Sequence, residues 1–249
     1  MKGKILAIIV CAAFFVFTGA ALFAGALLDL ETGVAISGYN DVRIPGDTGT
    51  EFSLTSELKT DPKVFIRFKF IYELGRRHTF ALLLAPLTLN ASGSVPKPIQ
   101  FEEVLFPPDT ELEATYRFNS WRLTYRYDFV QREKIEVGAG ITAKIRDAEV
   151  SLWSPTQSAS KANVGFVPLI NFRVWYSPVE KLSLLLEADA LAAPQGRAED
   201  VLLAVQYQLV ERVGVRVGYR LLEGGADNDE VFNFALINYI LVGTTVKLF

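Results

Sequence analysis

Cysteine is almost missing from this chain of 249 residues: Cys11 is the only one, and none follows it. A disulfide framework, a thiolate metal cluster and thiol catalysis are therefore excluded for everything beyond that position. Histidine is as scarce, with His78 alone, so no metal site can be built from two imidazoles. Beyond Leu30 the chain has no stretch of 18 or more uninterrupted apolar residues, which rules out a second membrane helix. Any further membrane crossing has to be made by strands. A net charge of -3 with 21% charged residues gives no basic surplus for nucleic acid.

What is present begins at the N-terminus. Lys2 and Lys4 precede an apolar run over residues 5–24, and Ala24, Gly25 and Ala26 supply a small-x-small cleavage signal. Residues 1–26 read as an export signal, cut after Ala26 or alternatively after Ala24. The length of the run leaves an uncleaved inner-membrane anchor as a second reading. Val10 is not the small residue that lipoprotein attachment at Cys11 would need. The remainder, residues 27–249, is of a length suited to one domain.

That remainder alternates. Val213, Val215, Val217, Tyr219 and Leu221 share one parity, and Gly214, Arg216, Gly218 and Arg220 share the other. A strand sends these two sets to opposite faces. The pattern recurs where Val64, Ile66, Phe68 and Phe70 interleave with Arg67 and Lys69, where Trp121, Leu123, Tyr125 and Tyr127 interleave with Arg122, Arg126 and Asp128, and where Ile135, Val137 and Ile141 interleave with Glu136, Gly138, Gly140 and Lys144. Ten strands are predicted, over residues 33–42, 63–72, 79–90, 111–129, 134–150, 162–176, 182–191, 201–209, 212–222 and 231–249, with eight or twelve as alternatives. Parity flips between Phe118 and Trp121, and a bulge at Asn119 and Ser120 is expected to restore the register; the runner-up is a tight turn there.

The connections alternate as well. Short charged turns at residues 73–78, 130–133, 177–181 and 210–212 fall between long Gly/Pro/Ser/Asp-rich loops at 44–62, 92–110, 151–161, 192–200 and 223–230. Short turns at one rim and long loops at the other are the layout of outer-membrane barrels, whereas a soluble sandwich has no reason to keep that order.

At the C-terminus residues 238–249, NYILVGTTVKLF, resemble the last strand of bacterial outer-membrane β-barrel proteins, in which a terminal aromatic is read by the assembly machinery. Phe249 takes that place here, although it falls on the parity opposite to Ile240, Val242, Val246 and Leu248. The resemblance implies an all-β, closed, antiparallel transmembrane barrel in the outer membrane of a two-membrane bacterium, reached after export through the inner membrane. Its partners would be outer-membrane lipid, lipopolysaccharide and the barrel assembly machinery. Enzymes of this architecture generally use a histidine at the outer rim or membrane face, but His78 lies in a short turn, on the inner rim, so no catalytic role is assigned.

No cofactor is expected. Asp227, Asp229 and Glu230 lack the spacing of a calcium loop and read as a solvated loop. Gly138 and Gly140 precede no helix and are read as making room for long side chains inside a small barrel, not as a phosphate loop. The inward parity collects Arg67, Lys69, Arg122, Arg126, Asp128, Glu136, Lys144, Arg146, Arg173, Glu187, Asp189, Arg216 and Arg220. One reading has these charges pairing and plugging the lumen, because an unpaired charge in a confined space is costly. In the other, surplus positive charge lines a thin path for anions. The expected role is structural or surface-interacting, through loops such as 92–110, with a narrow anion-preferring pore as the alternative and a lipid-modifying enzyme as a third reading.

Overall fold

The computed structural model describes residues 24–194 and 196–249, so the expected export signal lies outside the described residues as far as residue 23. The chain forms β1 (Ala24–Arg43), β2 (Phe52–Ser53), β3 (Lys59–Thr60), β4 (Lys63–Leu74), β5 (His78–Ala85), β6 (Thr88–Ser94), β7 (Ile99–Phe101) and β8 (Val104–Phe106). It continues through β9 (Glu111–Arg132), β10 (Ile135–Trp153), β11 (Ser158–Val179), β12 (Leu182–Ala193), β13 (Gly196–Val210), β14 (Val213–Asp227) and β15 (Phe232–Lys247). β5 and β6 are one wall strand. Pro86 interrupts its ladder, but the register to β9 is the same on both sides, and Asn119 Oδ1 accepts the Leu87 N–H at 3.2 Å. Ten antiparallel wall strands result, and β15 pairs with β1 to close the barrel.

Closure pairs the first wall strand with the last, so neither is left as an edge that hydrocarbon could not satisfy. The outward parity is apolar where the wall is closed: Val64, Ile141, Leu203, Val217 and Ile240 are 60–73% exposed. Such a belt on a soluble protein would aggregate, whereas a bilayer covers it. Towards the short turns it ends in aromatic residues, Phe129, Tyr176 and Tyr207, as an interfacial girdle does. At the opposite end the outer surface turns polar. There Arg117 pairs with Asp147 at 3.0 Å and Glu149 at 2.6 Å, and Arg197 pairs with Glu223 at 2.8 Å. The wall therefore stands above the bilayer on the long-loop side.

Three sequence expectations need correction. β1 starts nine residues before Gly33, and Ala24 to Ala26 already pair with Leu74, Glu73 and Tyr72, so a cut after Ala26 would fall within this strand. No bulge or turn lies at Asn119 and Ser120, since β9 keeps one register with β5, β6 and most of β10, and its irregularity sits near Phe129. The parity flip has another cause. Even-numbered residues of β9 point inward from Leu112 to Asp128, but Leu112, Ala114, Tyr116 and Phe118 line an apolar upper lumen, while Ser120, Arg122, Thr124, Arg126 and Asp128 line a polar lower one.

The third correction concerns the long loops. The segments around β2–β3 and β7–β8 fold into the upper lumen instead of standing free, and Ile44, Phe52, Leu54, Leu58, Ile99, Phe101 and Phe106 are at most 1% exposed. Thr50 N donates to Gln100 O and Glu102 N to Ile44 O, both at 2.9 Å, tying the two loops together. Phe52 meets Phe101 edge-on at 6.3 Å. Residues 38–54 make the descent into this plug: the register shifts at Gly38, and Gly46, whose N–H bonds Asp229 O at 2.9 Å, lies too close to Asn228 O to carry a side chain.

Candidate functional site

Below the apolar plug the lumen is ionic. Arg67 on β4, Arg122 on β9, and Arg216 and Arg220 on β14 are 2–5% exposed. Their partners include three acids outside the predicted set: Asp29 and Glu31 on β1, and Asp200 on β13. Arg67 reaches Glu31 at 3.3 Å and Asp200 at 3.1 Å, while Arg122 reaches Asp200 at 2.7 Å and Asp189 at 2.8 Å. Arg216 holds Asp29 at 2.5 Å and Glu31 at 2.7 Å, and Arg220 holds Glu31 at 2.8 Å and Asp200 at 2.5 Å. Asp189 is completed by Thr142 Oγ1 and Asn171 Nδ2, both at 2.8 Å. Charge-assisted bonds of this kind are the strong ones, and with each guanidinium shared between two carboxylates the network is locked.

A second tier lies nearer the short turns. Lys69 on β4 bonds Glu187 on β12 at 2.7 Å, Arg126 bonds Asp128 at 2.9 Å, and Arg173 stands 3.4 Å from Glu136. The first of these pairs is decisive geometrically, because β4 and β12 are five strands apart in either direction around a ring of ten. The bond crosses the full diameter of the lumen. Gly138 makes room for Arg126 and Asp128, whose side chains a Cβ there would strike.

Two of the thirteen predicted lumen charges stand apart. Lys144 has no carboxylate within ion-pair distance among the described residues and lies 4.7 Å over the Phe118 ring. Among the described residues Arg146 hydrogen-bonds Asn163 Oδ1 alone, at 2.6 Å. The missed acids had a signal in LDLETGVAI, where Leu28, Leu30, Thr32 and Val34 alternate with Asp29, Glu31 and Gly33. They sit just past the cleavage motif, ahead of the first strand that alternation predicts, at residue 33. Pro194 and Gly196, close before Asp200, give that stretch the composition of a loop.

His78 opens β5 beside the short turn, with Nδ1 2.9 Å from Tyr125 Oη, on the outer face of the wall. Phe249 follows the end of β15, is 56% exposed, and accepts the Ala26 N–H through its carbonyl at 3.3 Å.

No family model matches the chain, and neither does any curated protein. Among solved structures it is similar to the outer membrane protease OmpT from Escherichia coli, with a TM-score of 0.57 at 10% identity over 90% of this chain and 97% of that one. It also matches Ail, the attachment invasion locus protein of Yersinia pestis, with a TM-score of 0.37 at 10% identity, covering 90% and 99% of the two chains. OprG from Pseudomonas aeruginosa matches with a TM-score of 0.38 at 9% identity, covering 91% and 97%. Identities this low speak to the fold alone, and with its ten closed antiparallel strands this chain has the fold of the bacterial outer-membrane β-barrel proteins.

Proposed function

We propose that this chain is a closed, non-enzymatic barrel of the outer membrane, exported across the inner membrane, that serves the envelope as a structural and surface-interacting protein. The observation that carries the reading is the Lys69–Glu187 bond of 2.7 Å across the lumen, with the arginine network stacked against it. An aqueous path needs a gap a hydrated ion can enter, and a lumen joined from wall to wall by hydrogen-bonded pairs has none. Asp29, Glu31 and Asp200 also neutralise most of the positive surplus that an anion-selective path would need.

The surface-interacting part rests on what the plug leaves outside. Phe101 and Phe106 are fully buried, while Leu105 between them is 57% exposed and Glu103, Pro107 and Pro108 are exposed beside it. This tip, with the charged collar below it, would meet lipopolysaccharide or a partner. Phe249 serves in this reading as the assembly signal. Planar-bilayer recording on the purified protein tests the closed lumen. The expected trace is flat at physiological salt, and charge reversal at Arg122 and Arg126 should introduce conductance by unpairing the network. Stable anion-selective steps from the unaltered protein would overturn the reading.

A further inference from the structure

The wall is open at one place. β11 pairs with β10 along the whole of β10, from Ser158 to Tyr176. Its ladder to β12 stops at Ile170 and Ala190, although β12 itself runs on to Ala193 in register with β13. Residues 158–169 therefore have no strand partner on that side among the described residues. Pro168, which has no N–H to offer a ladder, stands where the strands part. Phe166, 64% exposed, is in register with Ile145, which pairs with Trp121 at the top of the apolar belt. The parting thus begins at the level of the outer leaflet. Unpaired backbone at that depth is tolerated where it borders a cavity.

A cavity of about 360 Å³ is lined by Pro168 and Leu191 at the parting and by Tyr116, Val150, Leu222 and Ile237 within. Its size and apolar lining are those of a small-ligand site. Lys144 projects into it, 2% exposed and without a carboxylate partner among the described residues, and Arg146, two residues on along the same face, is likewise held by no acid. Of the acids lining this cavity, Glu149 is taken by Arg117 and Glu223 by Arg197, while Glu230 is exposed at its rim, on the loop between β14 and β15, and pairs with neither Lys144 nor Arg146. Elsewhere in the lumen the arginines and Lys69 have carboxylates. A buried ammonium in an apolar chamber is unfavourable unless something anionic meets it.

We propose that this chamber binds a single-chain amphiphile with an anionic head, of the fatty-acid type, which passes in from the outer leaflet through the β11–β12 parting. The carboxylate is received by Lys144 and Arg146, and the acyl chain lies against Tyr116, Val150, Leu222 and Ile237. The site sits above the ionic network and does not depend on the closed-lumen reading, so a conducting barrel would refute that reading and leave this one standing.

The test uses the full barrel in phosphatidylcholine nanodiscs with carboxyl-¹³C decanoate as the probe. A bound carboxyl resonance, distinct from that of bilayer-dissolved decanoate, should saturate at one per protein. Lys144→Met should weaken binding at least tenfold, while Lys97→Met, at a residue outside the cavity and paired with Glu57 at 2.8 Å, should leave it unchanged. Lys144→Met removes an unpaired charge and nearly keeps the shape, so heat-modifiable migration should persist and verify folding. Decanol, lacking the anion, should compete at least tenfold more weakly than unlabelled decanoate. No bound resonance, unchanged affinity in Lys144→Met, or equal competition by decanol would each overturn the proposal. For the route, Phe166→Cys with Ala192→Cys, joined by a short bismaleimide, should slow exchange of bound decanoate more than tenfold; exchange as fast as in the uncrosslinked pair would refute passage through the parting.

Discussion

Asp200 is the acid on which Arg67, Arg122 and Arg220 converge, and it is 2% exposed. Removing one member of a buried ionic cluster leaves the others desolvated and unpaired, which costs about 3–5 kcal/mol, far more than the cluster adds over a well-packed apolar core. Asp200→Asn should accordingly lower stability by about 3–5 kcal/mol in urea unfolding followed by tryptophan fluorescence. Arg117→Ala, which breaks pairs on the solvated collar, should cost no more than about 1 kcal/mol. A second comparison tests how tightly the lower tier is packed. Gly138→Val drives a side chain into Arg126 and Asp128 and should cost about 1–3 kcal/mol by overpacking. Ala139→Val, on the opposite face of the same strand, should stay within about 0.5 kcal/mol.

At the scale of the element, β9 shows how one strand serves two interiors. Its outward set changes from Glu113, Thr115 and Arg117 to Trp121, Leu123 and Tyr125 at the level where its inward set changes from apolar to charged. The strand keeps its register, and the surroundings on both faces change. The plug packs with the upper inward residues of the wall, Leu112, Tyr116 and Leu152 among them, into one apolar cluster, and its share of the stability is testable against that of the wall. Phe101→Ala, at a fully buried position against Phe52, should cost the plug about 3–5 kcal/mol. Limited proteolysis should then cut within residues 44–62 and 95–110, while unboiled protein still migrates as a folded barrel. Loss of the folded band would show instead that plug and wall fold as one unit. Alternation alone could not have revealed the change of interior, because a parity flip in sequence looks the same whether the strand bulges or its neighbours differ.

For the whole molecule the orientation is the testable quantity. The chain has no cysteine after Cys11, so single cysteines report cleanly. With a membrane-impermeant maleimide on intact cells, Thr156→Cys at the exposed tip between β10 and β11 should label, and Glu133→Cys in the turn between β9 and β10 should label only after lysis. The reverse pattern would invert the topology and place the cavity's opening at the inner leaflet. Closure of the barrel joins β1 to β15, and this brings Asp29 and Glu31 within reach of Arg216 across 185 or more positions of chain.

The order of ten strands, the gathering of the short turns at one rim and the inward face of the lumen arginines from Arg67 to Arg220 were all determined by the sequence, because strand periodicity and turn chemistry are local and lipid imposes one rule on every outward position. Only the tertiary structure decided which charges meet, that Lys144 and Arg146 meet none, that two loops fold inward and that the wall parts between β11 and β12. Those outcomes depend on residues brought together by closing the sheet, and a distance across a lumen has no counterpart in the spacing along a chain.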